Sequence, residues 1–139
     1  MALTVHIITP ERAFKPRPAD AVNLPAFDGG VGILPKHAPF VCQLGAGLLR
    51  IKSSEHADID YALQGGVAQV ANDEVRILAE SVVEANAVDQ AHCLKRLIEL
   101  DEATYESTLD LLEAKAEAQW LLTQLRSASA DIPPLKQVG

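Results

Sequence analysis

The sequence predicts an α+β protein in two parts. The first is a β-sandwich, or flattened barrel, of about 8–10 short strands, and the second is an αα-hairpin. Three observations carry this reading. Apolar and polar residues alternate in short runs, broken by turn residues, through the first part of the chain. Glycine and proline number 8 each and are concentrated there, and no glycine occurs between Gly66 and Gly139. From Ala87 onward the apolar spacing becomes helical. The expected organisation is a sandwich over 1–86, a helical hairpin over 87–130 and a flexible tail over 131–139.

The first strand is predicted over 3–9, where Leu3, Val5 and Ile7 alternate with Thr4, His6 and Ile8. Further strands are predicted near 20–25, 30–34, 40–44, 47–52, 58–64, 66–71, 74–79 and 81–84. Within Leu24–Leu44, Gly29, Gly30 and Gly32 permit positive φ and close backbone approach. Pro35 and Pro39 remove backbone donors, which rules out a central strand there. Ser53–Asp58 reads as a mobile hairpin tip, and Asn72-Asp73 as a hairpin turn.

Asn86 is read as the cap of the first helix, with Asp89 favouring the exposed amides. Ala87, Ala91, Leu94, Leu97 and Ile98 form its apolar stripe. A turn is expected in Asp101–Ser107, and the second helix from Tyr105 to Arg126. On that helix Leu109, Leu112, Ala116 and Trp120 lie on one line, with Leu111, Ala114, Ala118, Leu121, Leu122 and Leu125 beside it. One partner helix cannot bury so wide a face, so the surplus is expected to cover the sandwich or a partner. Asp131-Ile132-Pro133-Pro134 ends the helix.

Composition excludes several functions. A net charge of −7 without a Lys/Arg cluster argues against nucleic acid and anionic lipid. No apolar run approaches the roughly 18 residues of a membrane span, and no signal or transit segment is evident, so direct membrane insertion is not expected. Cys42 and Cys93 have neither metal nor redox spacing and read as reduced core thiols. His37 and Cys42 could be drawn as a base and nucleophile, but an apolar strand disfavours the thiolate. The chain holds no P-loop, Rossmann fingerprint, zinc pattern or nucleophile elbow. No catalytic group, cofactor or metal is expected.

The motifs add a resemblance. Gly30-Val31-Gly32-Ile33-Leu34-Pro35-Lys36-His37-Ala38-Pro39 is similar to the G-x-G-I-L-P-G-H-A-P loop of the epsilon-subunit family of F-type ATP synthases. Leu3–Arg12 resembles that family's first strand and T-P-E-R turn, and Ala21–Pro25 the strand entering the loop. Gly45–Ile51 resembles its L-x-P-G-x-x-R-I segment, with Ala46 in place of Pro. Gln64–Val70 and Val75–Glu80 resemble its G-G-x-x-x-V and V-x-I-L-A-E strands. The order is kept over about residues 3–85, and beyond that the likeness is mainly one of architecture.

The resemblance implies a non-catalytic, accessory rotor subunit of the central stalk in a proton- or sodium-driven ATP synthase. The sandwich would clamp the gamma subunit and rest on the membrane ring of c subunits. The hairpin would reach the catalytic alpha/beta hexamer and oppose ATP hydrolysis. The location implied is peripheral, on the cytoplasmic face of the bacterial cell membrane. Asp28, Gly29, Gly30, Val31 and Gly32 would touch the ring, and His37 would lie at the gamma or rotor contact. Gly30 stands where the family often has an acidic residue, and Lys36 where it has Gly.

Some bacterial members bind ATP through I/L-D-x-x-R-A, which corresponds here to Val88-Asp89-Gln90-Ala91-His92-Cys93, with His92 in place of the Arg. Arg96, one turn on, could compensate. A small-ligand protein that senses nucleotide is therefore the alternative function, and it turns on position 92.

Overall fold

The computed structural model describes residues 2–139. Among them the strands are β1 Leu3–Ile8, β2 Arg17–Ala19, β3 Ala21–Ala26, β4 Gly29–Ile33, β5 Phe40–Gln43, β6 Ala46–Lys52, β7 Ile59–Ala71 and β8 Glu74–Glu84. A 3-10 turn at Ala85–Ala87 precedes α1, Gln90–Glu102, and α2, Thr108–Ser127. The chain divides into two units, Met1–Glu84 and Ala85–Gly139. The division falls two residues before the expected boundary.

The first unit is a sandwich built on two long strands. Hydrogen-bonded neighbours run β2-β1-β8-β7-β6-β3-β4, with β5 also paired to β7. The strands expected at 58–64 and 66–71 are the single strand β7, and those expected at 74–79 and 81–84 are β8. The cause is Gly65-Gly66, with φ of 68° and 115°. Two left-handed residues bend the strand without ending it, so Gln64↔Ser81 and Gly66↔Ala79 keep one register. On its other edge β7 pairs β6 through Ile59–Gln64 and β5 through Val67–Val70. The two layers thus share β7 and β8. A Cβ on Gly66 would lie 2.0 Å from the Leu78 carbonyl oxygen, so no other residue fits this bend.

β1 enters beside β8 in parallel, from Thr4↔Glu74 to Ile8↔Leu78. The expected alternation places Leu3, Val5 and Ile7 inward, against Val22, Leu24, Leu49, Tyr61, Leu63, Val75 and Ile77. Each of the aliphatic side chains among these contributes about 1.5–3 kcal/mol by leaving water. Asn72 and Asp73, with φ of 53° and 60°, form the expected two-residue hairpin between β7 and β8.

In the second unit the helix starts are later than the sequence suggested. Asn86 lies in the 3-10 turn, and Asp89 is the cap of α1: its carboxylate accepts from the His92 amide at 3.1 Å. α2 begins at Thr108, where the Ser107 hydroxyl accepts from the Asp110 amide at 3.1 Å. Tyr105 is outside the helix because its hydroxyl donates to the Leu100 carbonyl and helps close the end of α1. Cys93, Leu97 and Leu100 of α1 pack on Ala114, Ala118, Leu121, Leu122 and Leu125 of α2. Arg96 crosses to Glu117 with two hydrogen bonds, 2.5 and 2.9 Å long.

Residues 131–139, expected as a flexible tail, instead pack on this unit. Ile132 and Leu135 rest against the helical core, and Val138 is 3% exposed within it. The backbone amides of Lys136, Gln137 and Val138 all donate to the Asp101 carboxylate. The surplus apolar face of α2 is therefore partly covered by the chain itself. Leu109 and Leu112 stay exposed, at 65% and 56%.

Candidate functional site

The Asp28–Gly32 segment forms most of an outer strand. β3 and β4 are joined by Phe27 and Asp28, with Ala26 opposite Gly29 and Leu24 opposite Val31. Gly29 takes a φ of 137°, which only glycine adopts readily, and so lets the turn close. Gly30 and Gly32 do not use the positive φ that glycine permits, which leaves close approach as the other reason for glycine there. A Cβ on Gly30 would meet nothing closer than 3.9 Å, and one on Gly32 nothing closer than 3.6 Å. Neither glycine is required by the sandwich. β4 is the end strand of the sheet, so their absent side chains leave a bare, solvent-facing backbone edge.

Phe27 projects from the turn at 74% exposure, and sequence reasoning missed it. The available signal was an aromatic residue directly before Asp-Gly-Gly, at a place where a two-residue turn leaves no interior to enter. The tip thus combines one large apolar side chain, one acid (Asp28) and a bare strand edge.

His37 is elsewhere. β4 carries Gly29 at the tip and Ile33 at its far end, and five strand residues span about 13–17 Å. His37 follows that far end, where its amide donates to the Leu34 carbonyl at 3.1 Å, so it lies at the opposite end of β4 from the Phe27–Asp28 turn. Its ring stands edge-on to Phe40, centroids 5.8 Å apart, and its Nδ1 is 2.7 Å from the Ala38 carbonyl. Lys36, at the position where glycine resembles the motif better, has a φ of 65°. It is held there by its amide, which donates to the Asp73 carboxylate at 2.6 Å. The 34–39 turn is thereby anchored to the β7–β8 hairpin, with Leu34 61% exposed beside it.

A second apolar surface crosses the outer face of the sandwich. Ile8 lies opposite Leu78, and Leu78 opposite Val67, on β1, β8 and β7. All three are exposed, an inversion of the usual polar outer face.

Val88 and Asp89 lead into α1, His92 lies in its first turn and Arg96 near its middle, and the polar groups of Asp89 and Arg96 are committed to the fold. The Asp89 carboxylate caps the helix, and Arg96 is paired with Glu117 and Glu99. The Glu117 pairing holds the guanidinium well above its ordinary range and lowers the Glu117 carboxyl. His92 is exposed and Val88 packs on the helical core. Burial raises both cysteine thiols, with Asp28 adding to the effect on Cys42 and Asp89 to that on Cys93, as inert thiols require. Among the described residues no group of side chains could hold a metal ion, and no helix is long and apolar enough to cross a membrane.

Residues 2–85 match the family described as the ATP synthase Delta/Epsilon chain, beta-sandwich domain. An ATP synthase epsilon chain of Symbiobacterium thermophilum is 35% identical over 131 residues, covering 92% of this chain and 94% of the relative. One from Synechococcus sp. is 35% identical over 121 residues, covering 86% and 88%. Among solved structures, a chain of the Euglena gracilis mitochondrial ATP synthase OSCP/F1/c-ring assembly superposes with a TM-score of 0.79 at 20% identity. That match covers 92% of this chain and 81% of the other. A chain of the Tetrahymena thermophila mitochondrial ATP synthase central stalk/c-ring gives 0.65 at 14% identity, covering 91% and 96%. The Euglena and Tetrahymena likenesses show that the fold is shared.

Proposed function

The chain belongs to the ATP synthase delta/epsilon family, and from that premise we propose that it is the non-catalytic epsilon-type subunit of the central stalk. It joins the gamma subunit to the membrane rotor ring. The observation that carries the ring contact is the β3–β4 tip, where glycines needed by nothing inside the sandwich leave an open strand edge next to an exposed Phe27. A partner's backbone can approach that edge to hydrogen-bonding distance, while Phe27 buries apolar surface. The Ile8–Leu78–Val67 row is the face offered to gamma. A rigid sandwich between the two contacts passes rotation without slip, which requires no bond to be made or broken in this chain. The subunit works peripherally, at the cytoplasmic face of a bacterial membrane.

The test is co-purification with gamma and the ring. Phe27→Asp and Gly32→Val should release the ring but keep gamma, whereas Leu78→Asp should do the reverse. Retention of both partners by all three variants would remove the assignment.

We assign the hairpin's exposed Leu109 and Leu112 to the catalytic hexamer, as an inhibitory contact. Truncation after Ala87, or Leu109→Glu with Leu112→Glu, should raise ATP hydrolysis by the assembled complex and leave coupling intact. Equal rates in all forms would reduce the hairpin to a structural appendage. Nucleotide sensing gains no support from the geometry, since Asp89 and Arg96 already have partners. Calorimetry with ATP on the free chain, and on His92→Arg, addresses that reading directly.

A further inference from the structure

We propose that residues 131–138 are a strap, docked in the groove between the chain's own helices, that must be displaced before α1 and α2 can separate. This rests on the second unit alone and is independent of any stalk contact.

The path of the chain comes first. α2 ends in a reversal: Ser129 takes a φ of 56°, its amide donates to the Arg126 carbonyl, and the Ala130 amide donates to the Leu125 carbonyl. That pairing closes a helix and turns the chain back. Pro133 and Pro134 fix their own φ and hold Ile132 before them extended. From Ala130 to Lys136, where the attachment to Asp101 begins, an extended chain covers about 19 Å, well over half of the roughly 30 Å length of a 20-residue helix. The strap therefore returns along the hairpin to the junction of the two helices.

Its attachment there is specific. Both oxygens of Asp101 accept from the Lys136 amide at 2.9 Å, and Oδ1 also accepts from Gln137 at 2.8 Å and Val138 at 3.2 Å. Three successive amides on one carboxylate make an anion-binding concavity filled by the chain's own acid. The Gln137 side-chain amide donates to the Asp101 and Ala103 carbonyls at the end of α1. Those are carbonyls a helix end leaves without partners, in a turn that has no glycine to close it. Val138 then enters the core that holds Leu97, Leu122 and Leu125.

The strap thus bonds to the end of α1, is covalently continuous with α2, and packs its apolar residues against the core both helices share. Separating the helices exposes that core and breaks the Asp101 attachment together. Hairpin opening becomes a competition between the strap and whatever else could cover the same leucines.

Cys93 reports the opening, because it is 2% exposed in that core. In the full chain carrying Cys42→Ser it is the sole thiol. Asp101→Ala and Val138→Asp should each raise its rate of reaction with a disulfide reagent by about tenfold or more, with far-ultraviolet helicity unchanged. A peptide of the sequence Ala130–Gly139 added in excess should slow the reaction again. The proposal fails if both variants label at the parent rate. It fails if both lose their helices, which would make the strap an indispensable part of the core. It also fails if labelling of the parent depends on protein concentration, which would mean that the strap is exchanged between copies.

Discussion

In the sandwich one atom decides whether the chain can bend. The Leu78 carbonyl oxygen stands where any side chain at Gly66 would begin, and β7 must turn there to serve both layers. The helical unit has no position so constrained. It is closed by apolar packing, one ion pair between helices and a strap held by hydrogen bonds. The first kind of constraint has a single solution and is fixed once folded. The second consists of several moderate contacts, each of which can be exchanged for an equivalent one on a partner.

The sharpest test of that contrast is Gly66→Ala. Left-handed strain costs about 1–3 kcal/mol, and the backbone collision adds to it. The sandwich should melt about 10 °C lower or more, by calorimetry. A shift of a degree or two would show that β7 tolerates another bend. Next is Leu97→Ala, a fully buried residue of α1, expected to cost about 2–5 kcal/mol. The fluorescence of Trp120, the only tryptophan, should report that loss, while the β signal in circular dichroism keeps its midpoint. Parallel movement of the two signals would mean that the units melt as one, and the comparison would dissolve.

A smaller effect separates the two units by pH. Amides of Gln137, then Lys136 and Val138, hold the Asp101 carboxyl below its ordinary value, with the Lys136 charge assisting. A depressed folded value means stability that is present above the unfolded value of about 3.9 and is lost as pH falls through the folded one. Asp101→Asn should therefore lower the Trp120 midpoint at pH 7, and the gap between variant and parent should shrink as pH falls through the folded value. A constant offset across that range would show that the carboxylate charge is not what holds the strap. The smallest effect is expected from Gly32→Val: little loss of thermal stability, because a Cβ there makes only an ordinary contact with the Asn23 side chain, but loss of the ring from the purified complex. A large drop in melting temperature would place the need for glycine inside the sandwich instead of at its surface.

What the sequence made legible follows the same division. The strands of the sandwich could be read because burial on one face imposes strict alternation, as in Leu3, Val5 and Ile7. Asn72-Asp73 was readable because its turn demands two left-handed residues. Gly65-Gly66 was misread as a break, since a bent strand and two strands have the same local signature. Gly30 and Gly32 read as sites of positive φ or of close backbone approach, and only placed neighbouring atoms show that neither the backbone angle nor the sandwich interior demands them. Asp101 and the strap were missed because the contact joins residues some 35 positions apart and uses backbone donors, which every residue has. The tail's composition, with two prolines after a helix, looks the same whether it is free or docked.

The parallel pairing of β1 with β8 has a consequence for the making of the protein. Leu3–Ile8 leaves the ribosome before the other strands of the sandwich, yet its neighbour, Glu74–Leu78, is among the last of them to be translated. Until then β1 lacks its longest partner, and its pairing is limited to the three-residue β2 and the Ile8–Ala13 bridge. Joining the two ends of a domain is the slow kind of closure, since the entropy of the intervening loop must be overcome first. The nascent sandwich therefore passes through a long interval with an apolar strand only partly paired, the condition in which chains adhere to one another or recruit chaperones. Once β8 arrives, β1 locks the beginning of the domain to its end. A ribosome stalled before residue 74 should thus display an open, protease-sensitive chain, and one stalled well beyond residue 84 a closed sandwich.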